Sequence, residues 1–486
     1  MRVRFMNSNT AVSGRARALE LAPVWLWLGA GIYVLLLSRG SMLLNDSDTY
    51  WQITVGKWIL DHGSFPRVDF YSFTRAGYPW ISTSWLAQVL YAGAYEFAGW
   101  SGPVVLAATS IAVSFALLAR ILARHIPSTY AVVISLAALV LSTSHLLARP
   151  HVLVLPIMVI WVNGLVSASD RSKAPPFRLL PLLALWANLH GGFVFGLTLV
   201  GPFAIDALWN ADRPQRRPLM LRWAAFGVGA CLACCATPYG WDSLLASRKI
   251  LDLGELLRMI YEWMPQDFSQ FGPFEACVLA LMAGALRYGI RLTPPRILLT
   301  LGLLHMALSH IRNVEIFALL MPLVVIGPVA EQLSLRPGQP APTSAPIALV
   351  AALVAAMGVL TWTFAAQAGF SPSAIQSPAA AVDILSSRNP KRVLNDLPFG
   401  GYLIWRHVPV FVDGRAELYG ESFEMAYYRA LQLKDVDGFL DLLKRYDIDA
   451  VLLTPATPAA NLLDHLGGWQ RIYADVNAVV HVRVPD

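Results

Sequence analysis

Two carboxylates stand one residue apart in Asn45-Asp46-Ser47-Asp48, directly ahead of a helix-forming run from 49 to 61. Where an apolar segment leaves a bilayer, an acid is only partly desolvated and can act as a base. Asp and Ser at such a place also cap the following helix, and for Asp48 the two roles are compatible. Basic residues recur at similar positions. Arg149 and His151 in Ala148-Arg149-Pro150-His151, and His310 and Arg312 in Ser309-His310-Ile311-Arg312-Asn313, lie at the ends of apolar spans. An arginine there must snorkel or pair, and a lipid phosphate is a natural partner. Asn188 and His190, ahead of Gly191-Gly192, interrupt another apolar stretch, which either kinks a helix or lines a polar cavity. Glu262 and Trp263, within Tyr261-Glu262-Trp263, set an acid beside aromatic faces of the kind that stack on sugars. Asp413 and Arg415 in Phe411-Val412-Asp413-Gly414-Arg415 read first as a turn with an ion pair. Their functional reading is that they face the membrane and close over an acceptor.

The elements that must carry these residues are set by composition. Of 486 residues, 56% are hydrophobic and only 14% charged, against roughly 25% charged in a soluble domain. The mean hydropathy is +0.52, so much of the apolar surface must face lipid. A formal charge of +6 does not point to nucleic acid, because the basic residues are spread between hydrophobic spans. Cys231, Cys234, Cys235 and Cys277 all lie in apolar stretches and read as core residues, with no zinc or redox pattern.

Apolar runs near 22–38, 102–119, 129–147, 151–168, 179–187, 192–208, 219–236, 275–286, 297–310, 314–330 and 346–366 give about eleven crossings. The distribution of Lys and Arg then orients the chain. With the N-terminus inside, Arg2, Arg4, Arg15 and Arg17, Arg120 and Arg124, Arg171 to Arg178, Arg213 to Arg222, Arg287 to Arg296 and Arg336 fall in the cytoplasm, as the positive-inside rule requires. The first outer loop, 45–82, is long and densely patterned, and its helix carries the aromatics of an interfacial segment lying on the membrane. The first apolar run is read as an uncleaved helix. From 367 to 486 acids and bases return, short apolar runs such as 450–453 and 478–482 alternate with an amphipathic stretch 436–446, and a small soluble α/β domain is expected. Residues 371–378 read as the linker. Asp46, Asp48, Arg149, His151, Asn188, His190, Glu262, His310 and Arg312 all fall at the outer ends of spans, so one convergent site opening outward is expected.

This arrangement resembles the GT-C superfamily of membrane glycosyltransferases. The resemblance rests on the carboxylate motif after helix one, the long first outer loop, and a polytopic all-α body ending in an extracytoplasmic domain. The strings Asp48-Thr49-Tyr50-Trp51-Gln52-Ile53, Gly63-Ser64-Phe65-Pro66-Arg67-Val68-Asp69, Ala148-Arg149-Pro150-His151, Asn188-Leu189-His190-Gly191-Gly192 and Val412-Asp413-Gly414-Arg415-Ala416 are similar to a large set of bacterial GT-C-like proteins. The resemblance implies a multi-pass protein of the bacterial cytoplasmic membrane that transfers a sugar, with inversion, from a polyprenyl-phosphate donor to a glycan, lipid or protein acceptor. Asp46 or Asp48 would be the base. Arg149, His151, His310 and Arg312 would hold the lipid phosphate, and Asn188, His190, Glu262, Trp263, Asp413 and Arg415 would contact substrate. Thr83-Ser84-Trp85 departs from the pattern, with small hydroxyls where relatives carry a His or Glu, and an obligatory divalent metal or other cofactor is not favoured. Two other classes share part of the pattern. A flippase for a lipid-linked saccharide would need polar residues on both sides of the midplane, where Asp206 is the exception. A non-catalytic envelope-assembly scaffold would use Asp46 and Asp48 only as caps.

Overall fold

The computed structural model describes residues 23–251, 253–335 and 347–484; Arg2, Arg4, Arg15, Arg17 and Arg336 lie outside the described residues. Within the described residues each expected apolar run is built on a helix. The first is Val24–Ser38, and the last, Ile347–Ala368, packs beside it through a hydrogen bond of 2.7 Å between the Tyr33 and Thr361 hydroxyls. Among the described residues, six helices are long and apolar enough to cross a membrane: Ser101–Leu122, Ser128–His145, Pro150–Asp170, Phe193–Asn210, Asn313–Gln332 and Val350–Gln367. The others are shorter, or, like Arg213–Cys234, begin with several charges. The chain is a multi-pass membrane protein. Proline starts several of these helices, as at Pro150, Pro273 and Pro294, where its missing N–H is not needed. Serines inside them return their hydroxyl hydrogens to carbonyls four residues back, as Ser114, Ser135 and Ser142 do, which satisfies these hydroxyls within the helix bundle.

The C-terminal part is an α/β domain built on a four-stranded sheet, ordered β1 (Val393–Asn395), β2 (Ala450–Leu453), β4 (Val479–Arg483), β3 (Trp469–Ala474). β1 and β2 are parallel, with Val393 opposite Ala450, and the other pairings are antiparallel, with Val451 opposite His481. The amphipathic stretch forms the helix Val436–Arg445, and Asp435 caps it by accepting the Gly438 N–H at 2.8 Å.

The first loop belongs to this domain as much as to the membrane body. Its helix, Asp48–His62, which its aromatics suggest as an interfacial segment, turns most of its large side chains into the protein. Tyr50, Trp51, Val55 and Ile59 are buried in a core shared with Phe399, Tyr402 and Leu403, while Ile53 joins the core of the membrane helices. Large amphipathic rings suit a headgroup layer and a domain interface equally well, so sequence could not separate the two. Nor is 371–378 a free linker, since the Ser377 hydroxyl bonds that of Tyr50. Farther along the loop, Val410 exchanges backbone hydrogen bonds with Tyr71 and Phe73, each at 3.1 Å. Gly401 lets the domain close on the loop, because a Cβ there would run into the Ser47 carbonyl.

Asp413 and Arg415, expected over an acceptor, lie in this joint instead. Both side chains are fully buried. Arg415 donates to both oxygens of Asp413 at 2.8 and 2.7 Å and to Asp69 of the first loop at 2.7 Å. Tyr419 and Ser72 hydroxyls complete the two carboxylates at 2.7 and 2.6 Å. A buried ion cluster survives only when every partner is satisfied, and removing one leaves uncompensated charge worth about 3–5 kcal/mol. Arg415→Met is therefore expected to destabilise the protein by about 3–5 kcal/mol and to open the first loop to protease. Tyr419→Phe, which removes one hydrogen bond to a charged group, should cost about 1.5–3 kcal/mol. Thermal unfolding and limited proteolysis of the detergent-solubilised protein measure both.

Candidate functional site

The site is organised by Arg149. Its residue is extended and caps the helix that Pro150 begins, so the backbone direction is fixed where the chain meets the membrane body. The preceding Ala148 donates its N–H to Leu43 at 2.6 Å and accepts from the Thr49 hydroxyl at 3.2 Å, and Tyr91 donates to the Arg149 carbonyl at 3.0 Å. These bonds set Arg149 against the chain that leaves the first helix. Its guanidinium then meets three carboxylates. Nε pairs with Asp46, Nη2 lies 3.1 Å from Asp48 and Nη1 lies 2.6 Å from Glu262. Asp46 is 6% exposed, whereas Asp48 and Glu262 keep 22% and 26% of their side chains open to solvent. The cluster is therefore reachable from one side and closed behind.

Asp46, and not Asp48, satisfies the start of the loop helix, since it accepts the Asp48 N–H at 2.8 Å. Asp48 spends its other oxygen on the Trp51 indole at 3.0 Å. Burial pushes the Asp46 carboxyl up to about 6, although Arg149 pulls it down. At Arg149 burial disfavours the charge, yet Asp46, Asp48 and Glu262 hold its pKa above the ordinary value. Burial would also raise Glu262, but Arg149 and Arg312 outweigh it and keep this acid below the usual range.

Glu262 and Arg312 are joined through the backbone. Arg312 donates its N–H to the Glu262 carbonyl at 2.9 Å, and Ile311 donates to Met264 at 3.0 Å. The Arg312 guanidinium lies over the Trp263 ring at 4.5 Å, so this face of Trp263 is taken by a cation and not by a sugar. His310 lies beside it, its Nδ1 2.7 Å from the Trp263 carbonyl. Among the described residues no carboxylate is within ion-pair distance of Arg312, and burial lowers its pKa below the ordinary value. It is the cation of this cluster with no direct carboxylate partner. Arg149, expected to bind phosphate, is already surrounded by three acids, which corrects that expectation.

His151 and His190 form the layer behind, their rings 6.3 Å apart. His151 Nε2 lies 2.8 Å from the His145 carbonyl. Burial, followed by the charges of Arg312 and Arg149, brings His190 down to about 4, so it is neutral and accepts the Gly192 N–H at 3.0 Å. Asn188 has a structural role. It accepts from the Trp85 indole at 2.7 Å and gives both amide hydrogens to the Ala184 and Ala236 carbonyls, so it has no donor left for a substrate. Asp413 and Arg415 are in the joint already described. Between them, however, Gly414 packs its backbone on the Asp48 carboxylate so closely that any side chain would collide.

Sequence reasoning missed Glu315. It is buried, with Oε2 4.0 Å from His151 Nε2 and Oε1 without a partner. Its signal was available, since an acid inside an apolar span is a functional-site hypothesis by default. Among the described residues no group of three or more His, Cys, Asp or Glu is placed to hold a metal ion. Between Asp46, Asp48 and Glu262, the position a cation would take is filled by the guanidinium.

No protein-family model and no curated protein sequence matches the chain. Its fold, however, has known counterparts. The archaeal oligosaccharyltransferase AglB from Archaeoglobus fulgidus, in complex with an inhibitory peptide and a dolichol-phosphate, superposes with a TM-score of 0.52 at 11% identity, covering 87% of this chain and 69% of that one. ArnT from Cupriavidus metallidurans bound to undecaprenyl phosphate gives 0.51 at 13% identity, covering 95% and 98%. Its apo state gives 0.51 at 14% identity over the same shares. The chain shares the overall fold of these proteins.

The electrostatics of Asp46 can be checked directly. An infrared difference titration against Asp46→Asn should show a carboxyl protonating near pH 6. In Arg149→Gln the same band should titrate at higher pH, because the charge that opposes burial is gone.

Proposed function

We propose that the protein is a membrane glycosyltransferase that moves a sugar from a polyprenyl-phosphate donor to an acceptor hydroxyl. The observation that carries this reading is the partly open carboxylate cluster around Arg149, with the unneutralised Arg312 immediately beside it. A transfer from such a donor needs those two parts, an acid that receives a proton and a cation that receives a departing phosphate. The GT-C fold shared with structures that bind dolichol-phosphate and undecaprenyl phosphate supports the donor class.

In the proposed reaction Asp48, the more open of the pair, accepts the proton of the acceptor hydroxyl. The hydroxyl oxygen forms a bond to the anomeric carbon as the bond from that carbon to the phosphate oxygen breaks, with inversion. The bonding electrons leave on the phosphate, which Arg312 and His310 stabilise. Asp46 fixes Arg149, and Arg149 with Gly414 fixes Asp48. Glu262 holds the third side of the guanidinium and, through its backbone, the position of Arg312. The distribution of basic residues in the loops supports placing this face and the α/β domain outside the bacterial cytoplasmic membrane, with the N-terminus inside and about eleven crossings.

The experiment is a transfer assay in nanodiscs with a panel of polyprenyl-phosphate sugars, read by release of polyprenyl phosphate. Asp48→Asn should lower the rate about 10²–10⁴-fold, the usual worth of a positioned base. Arg312→Gln should lose a comparable factor, about 10²–10³ for one electrostatic donor. Transfer that continues unchanged in both Asp46→Asn and Asp48→Asn would remove the assignment. The wild-type rate should also fall as pH drops below about 6, because a protonated Asp46 no longer anchors Arg149.

A further inference from the structure

The membrane end opposite the Arg149 cluster carries a second polar site. Ser101–Leu122, Pro150–Asp170, Val200–Asn210 and Asn313–Gln332 end there, and Pro294–Ser309 begins there, around a cavity of about 710 Å³. That volume is within the ordinary range for a small-molecule pocket. Its floor is a closed ion network. Arg296, 3% exposed, lies 2.7 Å from Asp170 and 2.5 Å from Asp206 and donates to the Val324 carbonyl at 3.3 Å. Asp206 also accepts from the Ser169 and Thr293 hydroxyls at 2.6 and 2.7 Å. The floor is thus tightly bonded, and with two carboxylates to one guanidinium it offers no free cation.

The rim differs. Arg124 and Arg291 line the same cavity, and among the described residues neither guanidinium has a carboxylate within ion-pair distance. Glu331 is the one lining acid outside the floor network, so the rim has an excess of positive charge. Arg291 is also held in place. Its N–H donates to the Gln332 side chain at 2.8 Å, and the Gln332 amide donates back to the Arg291 carbonyl at 2.5 Å. Two arginines at the end of a membrane helix bundle stand at the depth of headgroup phosphates, and a guanidinium meets phosphate through paired hydrogen bonds.

We propose that this cavity binds a phosphate group through Arg124 and Arg291, presented by a glycerophospholipid of the leaflet opposite the sugar-transfer face. The site lies at the other end of the helices from Asp48 and Arg312, so it stands or falls independently of the transfer reaction. The bound headgroup would tie together four helix ends and the loop before Pro294, and so steady the bundle from the far side.

The test is native mass spectrometry of the full-length protein purified in mild detergent, with thermal unfolding as a second readout. Wild type should retain a glycerophospholipid, distinguishable by mass from any polyprenyl phosphate, and the double variant R124Q/R291Q should retain about tenfold less, equivalent to about 1.4 kcal/mol of affinity. R213Q/R217Q, which removes two exposed arginines at the same membrane end outside the cavity, should retain it as wild type does. If wild type carries no lipid but inorganic phosphate raises its unfolding temperature and not that of R124Q/R291Q, the phosphate site stands and its source is the free anion. Equal lipid retention in wild type and R124Q/R291Q, without a phosphate-dependent difference, overturns the proposal. Equal loss in both double variants overturns it as well, since the attraction would then be a property of the surface and not of the cavity.

Discussion

A guanidinium set at the end of a membrane helix is stabilised by pairing, and Arg149 finds three acids from two distant segments. Asp46 and Asp48 come from the first loop and Glu262 from the loop that leads to Pro273–Tyr288. Each carboxylate would repel the others if it were brought there alone. The cation makes the gathering favourable, and it keeps Glu262 ionised while Asp46 remains poised near neutrality. Local charge still favours acid over base around Arg149, which is why the proposed reaction places its anionic leaving group at Arg312, a few residues of backbone pairing away.

The second constraint is the joint between the first loop and the α/β domain. Arg415 bonds Asp413 and Asp69 with nothing exposed, the aromatics of Asp48–His62 fill the domain core, and Val410 continues its backbone pairing into the loop. Because the loop is held by the domain, Gly414 can sit against Asp48. The domain thereby shapes the site without contributing a charged side chain to it. The motif around Asp413 reaches the chemistry through its glycine, and its two charged residues supply the rigidity.

Polarity at the two membrane ends serves different ends. Near Arg149 the charges are partly open and unbalanced, which is what the proposed reaction needs. Near Arg296 the buried ions close on themselves, and only the rim retains free cations. A buried ion network with every partner satisfied adds specificity of packing more readily than it adds reactivity.

The membrane character, the helical runs, the α/β character of 367–486 and the convergence of Asp46, Asp48, Arg149, Glu262 and Arg312 were legible in the sequence. Apolar length, charge depletion and period are local properties, and a charged residue at the end of a span announces itself. What the sequence could not assign was partnership. Arg149 read as a phosphate ligand because an isolated arginine there wants an anion, and only folding showed that protein carboxylates supply it. Trp263 read as a sugar platform until Arg312 was found over its ring, and Asn188 read as a cavity group until its hydrogen bonds were accounted for. The helix after Asp48 carried aromatics suited to lipid or to protein alike, and the decision lay in residues some 350 positions away. Residue type fixes which interactions a side chain needs, whereas long-range packing decides which group answers the need.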